Sequence, residues 1–325
     1  MEPTTDVTPN ETPAAPVDAP IISVVLPGLK GGATLNEALR FWDSQHDADK
    51  TEILILCPDA DEMTPAPNSR ARYIDCKGLL LHEARAKGVR ESLGQYVLLG
   101  EDHSVPQQGT MTSLLKHIED GWDVVGPAMS PGTRSTIAGQ AAFLLGYGEW
   151  MNPIEAGPKK ALPGHNTLIR REILMERDAT LEDDLLMCTF LVRDLIRTKK
   201  TTLDTNWQHT HYDPADVMPE VKIYWHIGQG FGAARTKNWP LVGKILYPLA
   251  VPVAIGRHWL RALLQYVRAG RGAEMPLSVI PMMTLFAASS GAGEALGALR
   301  GIDKVKTTVW KCEIKPVTPE MVQRG

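Results

Sequence analysis

Short apolar runs alternate with amphipathic stretches through the first half of the chain. Runs rich in Val, Ile and Leu predict buried strands over residues 21–26, 52–56, 96–99 and 123–126. Helical spacing of apolar residues predicts helices from Thr34, over 79–93 and over 111–119. This alternation is typical of an α/β fold with a mostly parallel sheet flanked by helices, and ligands bind such sheets at the carboxyl ends of the strands.

The pattern changes after Lys222. Two apolar runs, 239–256 and 276–293, are each interrupted by proline, and residues 254–267 predict an amphipathic helix with arginines on one face. Each run is close to the minimum length of a membrane span. Three interpretations remain open: segments that lie in the membrane interface, one or two true spans, or a soluble helical appendage or dimer interface.

Charge divides the chain into three predicted parts. Residues 1–20 contain four acids, no base and many Pro, Thr and Ala, so we expect a disordered tail. Residues 21–220 form the predicted α/β domain, and residues 221–325 form a basic, apolar, helical region that we expect to associate with a membrane. Residues 222–273 contain eight bases and no acid, which favours an anionic lipid surface as a partner and disfavours nucleic acid.

The cysteines and the start of the chain indicate the compartment. The four cysteines are far apart and form no CxxC pair, so neither a zinc site nor a disulfide framework is predicted. The first twenty residues have no apolar signal-peptide core. These features predict a reducing, cytosolic setting.

The most informative polar cluster is Glu101-Asp102-His103, directly after the predicted strand 96–99. Side chains at the end of a buried strand point into the ligand cleft, where a divalent ion held by them can neutralise a diphosphate leaving group. The alternative is a polar turn that caps the next helix.

Two further groups are candidates for chemistry. Glu182-Asp183-Asp184 contains three carboxylates, which can supply a general base or form the acidic first turn of a helix over 185–196. His209 and His211 are either further ligands near a diphosphate or a solvent-exposed pair.

The order of these features resembles that of family-2 glycosyltransferases, which have the nucleotide-diphospho-sugar transferase (GT-A-like) fold. The resemblance runs over residues 21–213. It rests on Val-Val-Leu-Pro-Gly at 24–28, Glu-Ile-Leu-Ile-Leu at 52–56, Ala-Arg-Ala-Lys-Gly at 84–88, Glu-Asp-His at 101–103, Gly-His-Asn at 164–166 and Leu-Glu-Asp-Asp at 181–184. The apolar region over 225–301 also resembles the membrane-associated tails of polysaccharide-building members.

The resemblance implies roles for individual residues. Asp183 is the expected catalytic base, with Glu182 beside it, and Glu101 and His103 are the expected metal ligands. The donor is expected to contact Pro27, Asp59, Arg85 and Asp102, and the acceptor to contact His165 and Asn166. The implied reaction is inverting transfer of a sugar from a UDP- or GDP-linked donor to a lipid-linked or cell-surface glycan, at the cytoplasmic face of the plasma membrane.

The sequence also departs from the family pattern. Cys57 stands where the family has its uridine-binding Asp, and the metal motif has Glu and His in place of two Asp. Because imidazole suits Mn²⁺ better than Mg²⁺, which prefers oxygen ligands, we expect Mn²⁺. The departures leave open a non-catalytic subunit that binds nucleotide-sugar or a partner. A nucleotidyltransferase is disfavoured, because the Glu-Asp element has no role in one.

Overall fold

The computed structural model describes residues 19–28, 33–58, 70–271 and 274–313. Its centre is an eight-stranded sheet in the order β3-β2-β1-β4-β7-β6-β8-β5. The strands are β1 (Ile22–Pro27), β2 (Thr51–Cys57), β3 (Ala71–Asp75), β4 (Tyr96–Leu99), β5 (Ser104–Pro106), β6 (Val124–Pro131), β7 (Thr167–Arg170) and β8 (Thr201–His211). Only β5 and β7 run against the other six, so the predicted mostly parallel sheet is confirmed.

Helices cover both faces of the sheet and continue beyond it. They are α1 (Ala33–Asp43), α2 (Leu81–Glu91), α3 (Thr110–Glu119), α4 (Ile137–Tyr147), α5 (Arg171–Met175), α6 (Leu181–Leu186), α7 (Cys188–Thr198), α8 (Val217–Arg235), α9 (Leu241–Gln265), α10 (Val279–Arg300) and α11 (Ile302–Glu313). Alternate residues of one strand enter different cores, since Val24 packs in the cluster with α1 and α3 while Val25 packs in the cluster with α2 and α4. This burial on both faces explains the continuous apolar runs.

The four strands predicted from apolar runs are confirmed, and four strands were not predicted. The four that were not predicted are β3, β5, β7 and β8. Strands β3 and β8 contain many polar residues, and β5 has only three residues, so none of these three forms an apolar run. The predicted single helix over 185–196 is wrong. It is divided into α6 and α7 at Met187, whose backbone leaves the helical region with φ −135° and ψ 78°.

Helix α9 is longer than predicted, because it begins at Leu241 instead of residue 254. It continues through Pro248 and Pro252, although each proline removes one backbone hydrogen bond. Tyr247 and Val251 are buried in a small cluster with Ala298 of α10, and this packing holds the helix together across the prolines.

The predicted boundary at 220 falls within α8, and residues 1–18 of the predicted tail lie outside the described residues.

Helices α8 and α10 approach each other at the distance of backbone contact. A Cβ added at Gly228 or Gly232 of α8 would lie 2.0 Å from a carbonyl oxygen of α10. A Cβ at Gly293 or Gly297 of α10 would lie 2.1 or 2.0 Å from a carbonyl oxygen of α8. Since real contacts of a Cβ are longer than 3 Å, glycine is required at these four positions.

Helix α10 is, among the described residues, the one helix long and apolar enough to cross a membrane, and this is weak evidence for a span. Of its most apolar window, 44% is buried, and α10 packs against α4, α8 and α9. Its small residues therefore have a role in packing within the protein.

We predict that Gly293→Ala lowers the free energy of unfolding by about 3 kcal/mol or more, because the new methyl group overlaps the carbonyl oxygen of Trp225. The matched control is Gly256→Ala in α9, where a Cβ meets nothing within 4 Å. This change should be neutral or stabilise by up to about 1 kcal/mol through helix propensity. Urea unfolding of both variants measures the difference, and equal stabilities would contradict the predicted contact.

Candidate functional site

Three potential metal ligands lie together beside the carboxyl end of β4. Glu101 and His103 follow β4, and His211 is the last residue of β8. The antiparallel pairing of β5 with β8 places Ser104 opposite His211, and the backbone N–H of Tyr212 donates to the His103 carbonyl at 3.0 Å. As a result, one ligand atom from each of the three side chains lies within 4.8 Å of the other two, and all three are buried.

Each histidine is held by a neighbouring carboxylate. The Nδ1 atom of His103 lies 2.8 Å from Asp102 Oδ1, and Nδ1 of His211 lies 3.2 Å from Asp213 Oδ2. Such contacts place the ring proton on Nδ1 and leave the lone pair on Nε2. The two Nε2 atoms then face the Glu101 carboxylate, at 3.8 Å from His103 and 3.6 Å from His211.

Glu101 is also held from two directions. The hydroxyl of Tyr147, at the end of α4, lies 3.1 Å from both carboxylate oxygens and donates to them. The side-chain amide of Asn166 donates to Glu101 Oε2 at 2.9 Å and to Ser104 Oγ at 3.0 Å. These contacts fix the carboxylate while leaving it opposite the two imidazoles.

The donor set fits a divalent cation. A buried carboxylate and two imidazole nitrogens with inward lone pairs repel each other, and a cation between them removes that repulsion. Two ligand atoms that each lie about 2 Å from one ion are at most about 4 Å apart. The distances from the two Nε2 atoms to the Glu101 carboxylate, 3.8 and 3.6 Å, are within that limit. The sequence predicted Glu101 and His103, whereas His211 was only one of two alternatives.

The other alternative, a solvent-exposed histidine pair, is wrong. His209 is 1% exposed and His211 is fully buried, because both lie on the inward face of β8 with Trp207. Burial lowers the pKa of His209 to about 3, so this ring stays neutral at physiological pH. The signal was present in the alternation of Trp207, His209 and His211, which is typical of one face of a strand.

A cavity of about 520 Å³ adjoins the cluster. Glu101 and His103 line it together with residues from α4, α7, α8, α9 and α10. Three more buried carboxylates, Asp213, Glu220 and Glu294, also line it, and nothing in the sequence indicated any of them. The cavity is large enough for a small organic ligand and has convergent polar groups at the cluster.

The predicted donor contacts lie at several places. Pro27 is buried at the end of β1, and Asp102 is partly exposed beside His103. Arg85 is 2% exposed on α2, and its contact with a donor stays a prediction. Asp59 lies outside the described residues.

The two predicted catalytic carboxylates belong to ion pairs. Asp183 pairs with Lys237 of the segment after α8 at 2.5 Å, and Glu182 pairs with Arg90 of α2 at 2.6 Å. Arg90 lowers the pKa of Glu182 through this hydrogen bond. Neither carboxylate lines the cavity, although Met187 and Cys188, which follow α6, do. The role of Asp183 as a base stays a prediction.

The two predicted acceptor contacts differ in position. His165 lines the cavity, and its contact with an acceptor stays a prediction. Asn166 is fully buried, with a backbone φ of 58° and its amide directed to Glu101 and Ser104. The structure therefore places Asn166 as a support for Glu101, and its contact with an acceptor stays a prediction.

No family model matches the sequence, and no curated protein matches it. The structure is similar to a mannosyltransferase from Pyrobaculum calidifontis in complex with GDP-Man and Mn²⁺, with a TM-score of 0.51 and 15% identity over 89% of this chain and 90% of that one. It is also similar to TarS 1–349 from S. aureus, with a TM-score of 0.41 and 11% identity over 85% and 90%. For GalNAc-T7 with UDP, GalNAc and Mn²⁺ the TM-score is 0.46 and the identity 16%, over 60% of this chain and only 44% of that one.

The similarity to the mannosyltransferase concerns the fold. Together with the mixed sheet and its flanking helices, it shows a GT-A-like α/β fold, as the sequence predicted. At this identity the reaction and the ligands do not follow from the fold.

We predict that His211→Ala weakens Mn²⁺ binding at least about tenfold, because one of three side-chain ligands is lost. Asp213→Asn should weaken binding about tenfold by loosening the orientation of His211. Titration calorimetry with Mn²⁺ measures both, and His46→Ala, which changes an exposed histidine far along the chain, is the control. Unchanged binding in His211→Ala would show that this cluster is not the metal site.

Proposed function

We propose that this protein is an inverting glycosyltransferase that moves a sugar from a UDP- or GDP-linked donor to a lipid-linked or cell-surface glycan. The buried Glu101–His103–His211 cluster at the end of β4, in a GT-A-like sheet, is the observation that carries the proposal. The solved mannosyltransferase of similar fold holds a GDP-sugar with Mn²⁺, which is consistent with this class of donor.

Glu101, His103 and His211 would hold the divalent ion, with Mn²⁺ favoured over Mg²⁺ because two of the ligands are imidazoles. When bound, such an ion supplies Lewis-acid stabilisation of the negative charge on a leaving nucleoside diphosphate. Asp102 and Asp213 orient the imidazoles, and Tyr147 and Asn166 hold the carboxylate, so the ligands are arranged before the donor binds.

Asp183 is the proposed general base, which takes a proton from the acceptor hydroxyl as this attacks the anomeric carbon from the face opposite the leaving group. In this structure the carboxylate pairs with Lys237. Asp183 precedes the break at Met187, whose side chain lines the cavity. The Asp183 side chain is 46% exposed, so it is open to solvent beside this helix break.

We also propose that α9 docks on the cytoplasmic face of the membrane as a peripheral or monotopic element. One side of α9 is an exposed apolar stripe, which comprises Leu241, Val242, Ile245, Leu246, Leu249, Val253, Leu260 and Leu264. Isolated exposed apolar residues are common, but six of these residues lie on successive turns between Leu241 and Val253, and such a patch marks an interaction surface. The surrounding residues 222–271 include eight bases and no acid, which complements anionic lipid.

Asp183→Asn should reduce sugar transfer at least about 100-fold while leaving binding of the nucleotide-sugar within about twofold, because only the proton acceptor is removed. The matched control is Asp184→Asn, since Asp184 follows Asp183 in α6 but pairs with Arg177 instead of Lys237. Release of nucleoside diphosphate from a panel of nucleotide-sugars with Mn²⁺ gives the activity, and a thermal shift gives donor binding.

The outcomes of that experiment separate two functions. Transfer that is lost in Asp183→Asn supports the enzyme and its base. Donor binding with no turnover in the unmodified protein, under any donor and acceptor mixture tried, would support a non-catalytic nucleotide-sugar-binding or assembly subunit instead.

Leu249→Asp should lower binding to vesicles of phosphatidylserine and phosphatidylcholine about tenfold or more. The reason is that an exposed residue of the apolar stripe (79% exposed) would carry a charge into the interface. Leu93→Asp, at a site 67% exposed but outside α9, is the control. Vesicle co-sedimentation measures binding, and equal loss in both variants would contradict docking through α9.

A further inference from the structure

The cavity beside the metal-ligand cluster is also lined by four arginines. Arg193 comes from α7, Arg235 from the end of α8, and Arg257 and Arg261 from successive turns of α9. Three separate helices therefore bring guanidinium groups to one cavity. The same lining also contains a fifth base, Lys160, and five acids, which are Glu101, Glu149, Asp213, Glu220 and Glu294. Three of these acids already have polar partners of their own, since Glu101 faces the two imidazoles, Asp213 holds His211 and Glu294 accepts from Arg235.

The arginines are held in place by aromatic and ionic contacts. The guanidinium groups of Arg193 and Arg235 lie 5.4 Å and 5.7 Å from the centre of the Phe190 ring, which itself packs on Phe231 at 5.6 Å. Arg235 also donates to Glu294 at 2.9 Å. Phe190 is thus a positioning residue that keeps two like charges side by side.

Keeping like charges together costs free energy unless an anion joins them. Burial, followed by repulsion from Arg235, Arg261 and, last, Arg197, lowers the pKa of Arg193, while Glu149 acts in the opposite direction. A phosphate group accepts paired hydrogen bonds from guanidinium groups and removes this repulsion. The geometry of the cavity therefore suits a compact, multiply charged anion.

We propose that Arg193, Arg235, Arg257 and Arg261 bind the phosphate or diphosphate of the acceptor, an ester whose other end is an apolar chain. The proposal rests on the proposed function, and it names the acceptor's chemical class. Helix α9 connects the two ends of such a ligand. It carries Arg257 and Arg261 on the cavity lining and Leu260 and Leu264 on the exposed stripe.

A donor diphosphate is the main competing ligand for these arginines. In the proposed function its charge is neutralised at Glu101, His103 and His211, so its binding depends on that cluster. Binding of an acceptor phosphate does not depend on those ligands. Substitution of a metal-binding residue therefore distinguishes binding of the acceptor phosphate from binding of the donor diphosphate.

The test is titration calorimetry of the full chain in detergent with geranyl phosphate, geraniol and inorganic phosphate, without a donor. We expect geranyl phosphate to bind and geraniol not to bind. Arg193→Gln and Arg261→Gln should each weaken binding about tenfold, which corresponds to the loss of one charge-assisted hydrogen bond. His211→Ala and the control Arg197→Gln, one turn from Arg193 but outside the cavity lining, should bind within about twofold of the unmodified protein.

Each other result overturns part of the proposal. Equal binding of inorganic and geranyl phosphate would assign the site to a free phosphate, and loss in His211→Ala would assign it to the donor. Equal loss in Arg197→Gln would show only a general surface charge. Arg193→Lys, which keeps the charge, and a thermal unfolding scan of each variant identify misfolding. Since no transfer is measured, the result is independent of whether the protein is a glycosyltransferase.

Discussion

The candidate site depends on the antiparallel pairing of β5 with β8. Residues 103 and 211 are far apart in the chain, and three paired residues at this sheet edge bring them together. The pairing sets which face of β8 turns inward, and a shift by one residue would turn His211 outward and Thr210 inward. Because β5 has only three residues, its position is also stabilised by Val105 packing with Ala38 and Tyr212.

The second half of the chain forms the other wall of the site. Helix α8 packs on α10 through glycines, and both helices, with α9, line the cavity that Glu101 enters from the sheet. The same helices carry the arginines and the apolar stripe. A metal-ligand cluster, a cavity wall that carries four arginines and an exposed apolar face are therefore parts of one continuous packing arrangement.

Whether an element could be predicted from the sequence depends on the physical origin of its residue pattern. Apolar runs identified β1, β2, β4 and β6, because strands buried on both faces must be apolar throughout. Polar strands such as β8 were missed, because they contain no apolar run and their buried face is set by pairing with other strands. Glu101 and His103 were found from their position after a strand.

Other site residues could not be found in this way. Tyr147 supports Glu101 but ends an apolar helix with nothing in the sequence to distinguish it from a core residue. His211 was ambiguous because burial, which decides its role, depends on a strand partner more than one hundred residues earlier. The long α9 was underestimated because prolines are normally read as helix ends, whereas packing of Tyr247 and Val251 overrides them.

The glycine contacts between α8 and α10 also limit which substitutions this protein can accept during evolution. At most packed positions, a larger residue on one helix can be accommodated by a smaller one on its partner. Here each glycine faces a carbonyl oxygen of the opposing backbone, which every amino acid carries. No second-site substitution can therefore compensate for a lost glycine, and the two helices are free to diverge only on their other faces.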